Sequence, residues 1–247
     1  VDAASQKLRI AERPGLIIVR GPLRDNATHR HHALQISIAV AGMVRLDDAA
    51  PSSNVVIRPD HPHRLDADDA LTLLVDPETT LARHVIATVL DEAPLCRDAA
   101  LDHEPQLGRL LARLRDPREL ELPIDERIAD VLEWMDRLLG EGRTREITLG
   151  AALRRACLSE SRFLHLFREE AGTTWRRALI WRRALHAMRL AQSGLSLTDS
   201  AHRSGYADSA HLSRQFKELF GLSPSLVSKN SSFVQAHELL EEHTVDS

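Results

Sequence analysis

Five of the chain's 13 histidines, His29, His31, His32, His61 and His63, lie between residues 29 and 63. Imidazole is a neutral metal ligand when deprotonated and a cationic hydrogen-bond donor when protonated, so this density is the strongest chemical signal in the first half. On a strand, His29 and His31 would point to one face, and a turn built on Pro59 and Pro62 could bring His63 to meet them. Gln35 would add a weak neutral oxygen. Three uses fit the same residues. His29, His31 and His63 could hold zinc, nickel, copper or iron; with Gln35 they could bind an organic anion; or they could only pin the fold.

The second signal is cationic. Residues 143 to 230 carry 15 Lys and Arg against 7 Asp and Glu, a balance of +8 that leaves −12 for the remainder. A basic block in an otherwise acidic chain suits a polyanion, because Lys and Arg contacts to phosphate supply most non-specific affinity. The same block contains a repeat. A shift of 49 lays Phe167 on Phe216, Arg168 on Lys217, Glu169 on Glu218 and Gly172 on Gly221. Upstream the shift becomes 48, pairing Cys157 with Gly205. Each copy reads as a short helix (149 to 156; 197 to 204), a tight turn, and a second helix capped by Ser159 or Asp208, which is a helix-turn-helix. Residues 174 to 192 contain no Gly or Pro and should form one helix joining the copies.

These signals need different scaffolds. From 16 to 76, short β-branched or apolar runs alternate with breakers such as Gly21-Pro22, Gly42 and Pro51-Ser52-Ser53-Asn54, the pattern of a small antiparallel sandwich or barrel. After Pro77 the period becomes helical, and Ile124 to Leu139 traces an apolar face that stops at Gly140. The expected class is therefore α+β: a sheet domain over 1–120, an all-α domain over 121–230 and a tail over 231–247. No apolar run approaches the roughly 18 residues needed to span a bilayer, and the first residues lack a basic-then-apolar leader. Cys96 and Cys157 are too few and too far apart for a disulfide framework, so free thiols and a cytoplasmic location are expected.

The segment SLTDSAHRSGYADSAHLSRQFKELFGLSPS (196–225), with LSESRFLHLFREEAG (158–172), resembles the double helix-turn-helix of AraC/XylS-family transcription regulators. Ser200 departs from the pattern, standing where an aliphatic residue or Ala usually packs. The order His29-Arg30-His31, Gln35, Gly42 resembles the first cupin motif with Gln in place of Glu. The resemblance implies a cupin-like sensor barrel ahead of the DNA-binding domain, with histidines that bind a metal or hydrogen-bond an anionic or polyol effector. Apolar spacing assigns Phe163, Leu166, Phe167, Leu212 and Phe216 to the core. On the opposite faces, the resemblance sends Ser161, Leu164, His165, Ser209, Ala210, Ser213 and Arg214 into the major groove. Arg214 can bond both acceptors of a guanine edge. Arg162, Arg168 and Lys217 are assigned to phosphates.

The expected function is sequence-specific binding of double-stranded DNA in transcription regulation, governed by a small-molecule or metal effector, with RNA polymerase as a further partner. A metal-dependent cupin enzyme tethered to a DNA-binding module is the alternative, disfavoured by the missing Glu and by a chain with only nine aromatic residues to grip a substrate. An adaptor for RNA or protein is a third reading, against which two units on a rigid spacer argue. Leu107, Leu110, Leu111 and Leu114 form a helical stripe expected to make a homodimer.

Overall fold

The computed structural model describes residues 7–24, 26–97, 110 and 112–241. It divides into two compact units, Val1–Glu121 with Lys229–Ser247, and Leu122–Ser228. Among the described residues no helix is long and apolar enough to cross a membrane.

The first unit is one seven-stranded sheet: β1 (Leu8–Arg13), β2 (Leu16–Leu23), β3 (Leu34–Leu46), β4 (Asn54–Ile57), β5 (Leu65–Val75), β6 (Leu95–Arg97) and β7 (Ser231–Phe233), in the order β6-β4-β3-β5-β2-β1-β7. Among the described strands only β7 runs parallel to its neighbour, β1. Period-two alternation sorts β3 onto two faces. Leu34, Ile36 and Ile38 enter the main core with Leu71, Leu73, Val75 and helix α1 (Thr80–Val85). Gln35 and Ser37 point the other way, the side that Val55 and Ile57 fill on neighbouring β4. Gly42, at φ +72°, lies where the β3–β5 register shifts.

Two expectations are corrected here. Residues 231–247 are not a separate tail: through Glu241 they belong to the sheet unit. Ser231–Phe233 supplies the edge strand, Val234 N donates to Ile10 O at 3.0 Å, and Leu239 and Leu240 of the following helix (Ala236–Glu241) are buried in the main core. That core needs them because β1 and β2 would otherwise expose apolar residues at the sheet's end. The leucine stripe also turns inward. Leu110 and Leu114 are buried in the same core, so they are not available as a dimer surface; Leu107 and Leu111 lie outside the described residues.

The second unit is helical: α2 (Glu126–Gly140), α3 (Leu149–Ala156), α4 (Glu160–Ala171), α5 (Trp175–Gln192), α6 (Leu197–Arg203), α7 (Ser209–Phe220) and α8 (Pro224–Asn230). The sequence repeat is a structural repeat. Cys157 and Gly205 both occupy the left-handed region after the first helix of each pair, and Gly172 and Gly221 both end the second helix there. The caps differ. Asp208 accepts from His211 N, whereas Ser159 makes no side-chain cap, so the symmetry expected at that position is absent. Phe163, Phe167 and Trp175 pack in mutual contact at 5.6 to 5.7 Å between ring centroids. In the second pair, Phe216 stacks on Phe220 at 4.4 Å and Phe220 on Trp181 at 5.4 Å.

Two substitutions test this packing in opposite directions. Leu240→Ala should lower the unfolding free energy of the sheet unit by about 2 to 5 kcal/mol, the cost of a large-to-small change in a closed core. Ser200 is fully buried and its hydroxyl has no hydrogen-bond partner among the described residues. Ser200→Ala should therefore raise the stability of the helical unit by about 1 kcal/mol. Urea unfolding followed by circular dichroism reads both, and a neutral Leu240→Ala would place that residue outside the core.

Candidate functional site

The histidines converge, but from loops rather than from a strand. Residues 26–33 precede β3, and His29 forms an isolated antiparallel bridge with His63, N to O at 2.9 Å in both directions. Asn26 ties this segment to the start of β5, its amide donating to Leu65 O at 2.6 Å and its oxygen accepting from Leu65 N at 3.3 Å. The Pro59–Pro62 turn docks on the same segment, with Asp60 N donating to His31 O at 2.8 Å. One ring nitrogen from each of His29, His31 and His63 lies within 4.8 Å of the others, and Gln35 reaches the group from β3. His32 and His61 are not in the group. His32 points away to Glu78 at 3.2 Å, both side chains buried.

The hydrogen bonds define the chemistry. Each of the three rings places Nδ1 on a backbone carbonyl: His29 on Ala27 at 2.9 Å, His31 on Ala33 at 3.0 Å and His63 on His61 at 2.8 Å. A carbonyl can only accept, so Nδ1 carries the proton and Nε2 is the basic nitrogen of each ring. Nε2 of His31 and of His63 then faces Gln35 Oε1, at 2.7 and 3.0 Å. Three acceptors facing one another repel unless something positive joins them. Two states satisfy the geometry. A metal cation could be bound by the imidazoles and the amide oxygen, or the amide could turn over, donating to both rings and accepting from the Ser37 hydroxyl now 3.0 Å from its nitrogen. Ser37 is already 2.9 Å from Thr72 Oγ1, so either state is anchored in the sheet.

Protonation does not supply the missing charge near neutral pH. Burial lowers the His31 pKa to about 4, with the neighbouring His29 adding to the effect. Burial lowers His63 further, and His29 shifts in the same direction for the same reason.

In the helical unit the sequence-assigned faces are the observed ones. Phe163, Leu166, Phe167, Leu212 and Phe216 are buried. Ser161, Arg162, Leu164, His165 and Arg168 are exposed along α4; on α7, Ala210, Arg214 and Lys217 are exposed, while Ser209 and Ser213 are half-buried. Glu169 lies 3.9 Å from His165, one turn along the same helix. Asp208 is held below its usual pKa chiefly by the His211 amide, with Arg214 contributing.

A family described as helix-turn-helix domain matches residues 153–230. The arabinose operon regulatory protein of Salmonella typhimurium is 29% identical over 113 residues, which cover 43% of this chain and 37% of that protein. Its Escherichia coli counterpart is 29% identical over 124 residues, covering 47% and 39%. The helical unit therefore carries a helix-turn-helix domain and is similar to part of the arabinose operon regulatory proteins. The chain spans about two fifths of the length of these curated relatives. A likeness of fold extends over both units: ToxT from Vibrio cholerae superposes with a TM-score of 0.52 at 14% identity, covering 88% of this chain and 98% of that one.

Sequence reading missed the residues that hold the histidine segment in place. Asn26 works by mimicking a strand partner, which leaves no periodic trace. The His32–Glu78 pair joins residues 46 apart, and no local pattern announces it.

The lowered histidine pKa values have a consequence for the metal-free protein. A histidine that stays neutral when folded but takes a proton when unfolded destabilises the fold as pH falls below the unfolded value of about 6.5. The contribution is present in full above pH 6.5 and is lost towards the folded value, about 4 for His31. Urea midpoints of chelator-treated protein should therefore drop between pH 7 and pH 5, with a shallower drop in His31→Gln. Equal slopes for the two proteins would place the acid sensitivity elsewhere.

Proposed function

We propose that the protein is a transcription regulator that binds double-stranded DNA in a sequence-specific manner and whose sheet unit senses a small effector. The observation that carries the DNA reading is the duplicated helix-turn-helix. Each second helix buries its apolar face; on the other, α4 presents Ser161, Leu164 and His165, and α7 presents Ser209, Ala210, Ser213 and Arg214. Such faces can enter a major groove, with apolar and hydrogen-bonding side chains both available to base edges. Exposed Arg162, Arg168 and Lys217 are suited to phosphate, and the surrounding charge of +8 would draw the polyanion. The arabinose operon regulators that resemble the helical half support the same role. RNA polymerase remains a proposed partner on that likeness alone.

The effector we favour is a first-row transition-metal cation held by His29, His31 and His63, with Gln35 as an oxygen donor. The support is the common orientation of the rings: backbone carbonyls hold all three Nδ1 protons, which is how outer-shell contacts orient ligating histidines. Bound there, a cation would supply the positive charge that the Gln35 oxygen and the imidazoles lack. The neutral rings also set the pH range: protons should begin to compete with metal only well below pH 6.5, the usual imidazole value.

Binding to duplex DNA selected from a random pool should weaken steeply with salt. Arg214→Ala should cost about 1 to 3 kcal/mol and relax preference at one base position. Equal loss on selected and random duplexes would move Arg214 to the phosphate contacts. Chelator-treated protein titrated with Co²⁺ should develop visible absorption bands that His63→Ala lacks. If the spectra of the two proteins are the same, the metal reading is wrong and the Gln35 amide alone closes the site.

A further inference from the structure

The two turns of the repeat are not equivalent. Cys157 holds its left-handed conformation, φ +53°, with the side chain exposed. At the matching position stands Gly205, φ +82°, and a Cβ there would lie 3.1 Å from both Cβ and Oγ1 of Thr144 and 3.2 Å from Nε of Arg183. Contacts this short are tighter than nine in ten for a real Cβ, so any side chain at 205 would push Thr144 or Arg183 aside by a few tenths of an ångström, and φ favours Gly as well. Thr144 is buried and opens the 3-10 turn Thr144–Glu146, which leads into α3. Three residues on, Ile147 is part of the core that holds the first helix pair, and Thr148 caps α3. Arg183 lies on α5. The junction therefore joins the entrance of the first helix-turn-helix, the bridging helix and the turn of the second.

We infer that the Thr144–Gly205–Arg183 junction sets the spacing and rotation of the two reading helices, and so determines which separation of DNA motifs the protein accepts. The inference rests on the DNA-binding reading above. Helix α5 fixes the distance between the units along its own axis, about 27 Å for 18 residues at 1.5 Å each. A contact off that axis is what restrains rotation about it. In B-DNA one added base pair moves the second motif about 3.4 Å and turns it roughly 34°. A junction this tightly packed resists that movement, so spacing is read as a packing constraint, separately from the bases.

The test uses full-length protein and duplexes carrying the two selected motifs with the spacer varied one base pair at a time. Wild type should favour one spacer. Thr144→Ala opens the junction and should reduce discrimination against neighbouring spacers by about tenfold, leaving base preference within each motif unchanged. Gly205→Ala forces the contact apart and should move the preferred spacer; its melting curve and binding to a single motif verify folding. A second arm needs no DNA. Nitroxide labels at Glu160→Cys and Glu218→Cys, on a Cys96→Ser, Cys157→Ser background, measure the separation of α4 and α7. The distance distribution should be narrow in wild type and broad in Thr144→Ala. Wild type that selects no duplex overturns the DNA reading. An unchanged width in Thr144→Ala, or an unchanged spacer profile in folded variants that bind DNA, overturns the role of the junction.

Discussion

Helix α5 is shared by two cores, and the arrangement of the helical unit depends on that sharing. Trp175 and Ala178 near its start are buried with Phe163 and Phe167; Ala187 near its end is buried with Ala201, Tyr206 and Leu212. Helices α4 and α7 have 12 residues each, too short to be stable alone in water, where isolated helices below about 12 to 15 residues are marginal. Each is helical because α5 gives it an apolar surface to bury. The exposed faces of α4 and α7 can then carry residues chosen for what they contact outside, because none of them is needed for folding.

The sheet unit meets a different constraint, the placement of polar groups in an apolar layer. Gln35, Ser37 and Thr72 form a hydrogen-bonded chain across β3 and β5, whose neighbours are Val, Leu and Ile. Burying these groups is tolerable only while each has a partner. With the Gln35 amide turned over, the imidazoles of His31 and His63 are those partners at one end. Removing one would then leave one buried amide hydrogen unpaired, so the histidines contribute to stability as well as to chemistry.

Local signals were legible in the sequence and distant ones were not. The left-handed glycines at 172 and 221 and the phenylalanine spacing mark the helix pairs because both act within one or two turns. The histidine cluster was visible in composition, yet the expected geometry, two residues sharing a strand face, is not how it forms. A backbone bridge between His29 and His63 and a side-chain clamp from Asn26 do that work, and both join residues more than 30 apart. Strand β7 was invisible for another reason: Ser-Ser-Phe has no alternation to read, and its place beside β1 follows from the neighbour rather than from its own composition.

The order of elements along the chain also determines what a shortened chain can do. The sheet unit receives its last strand and its last core helix from residues 231–241, after the entire helical unit has been encoded. During synthesis the helical unit can leave the ribosome and fold while the sheet is still missing an edge. A chain cut in the region of residue 230 would keep both helix pairs but leave β1 unpaired on one side and the main core without Leu239 and Leu240. Such a fragment would keep the helical unit with an incomplete sheet unit attached, and its exposed edge and open core would be what cellular quality control acts on.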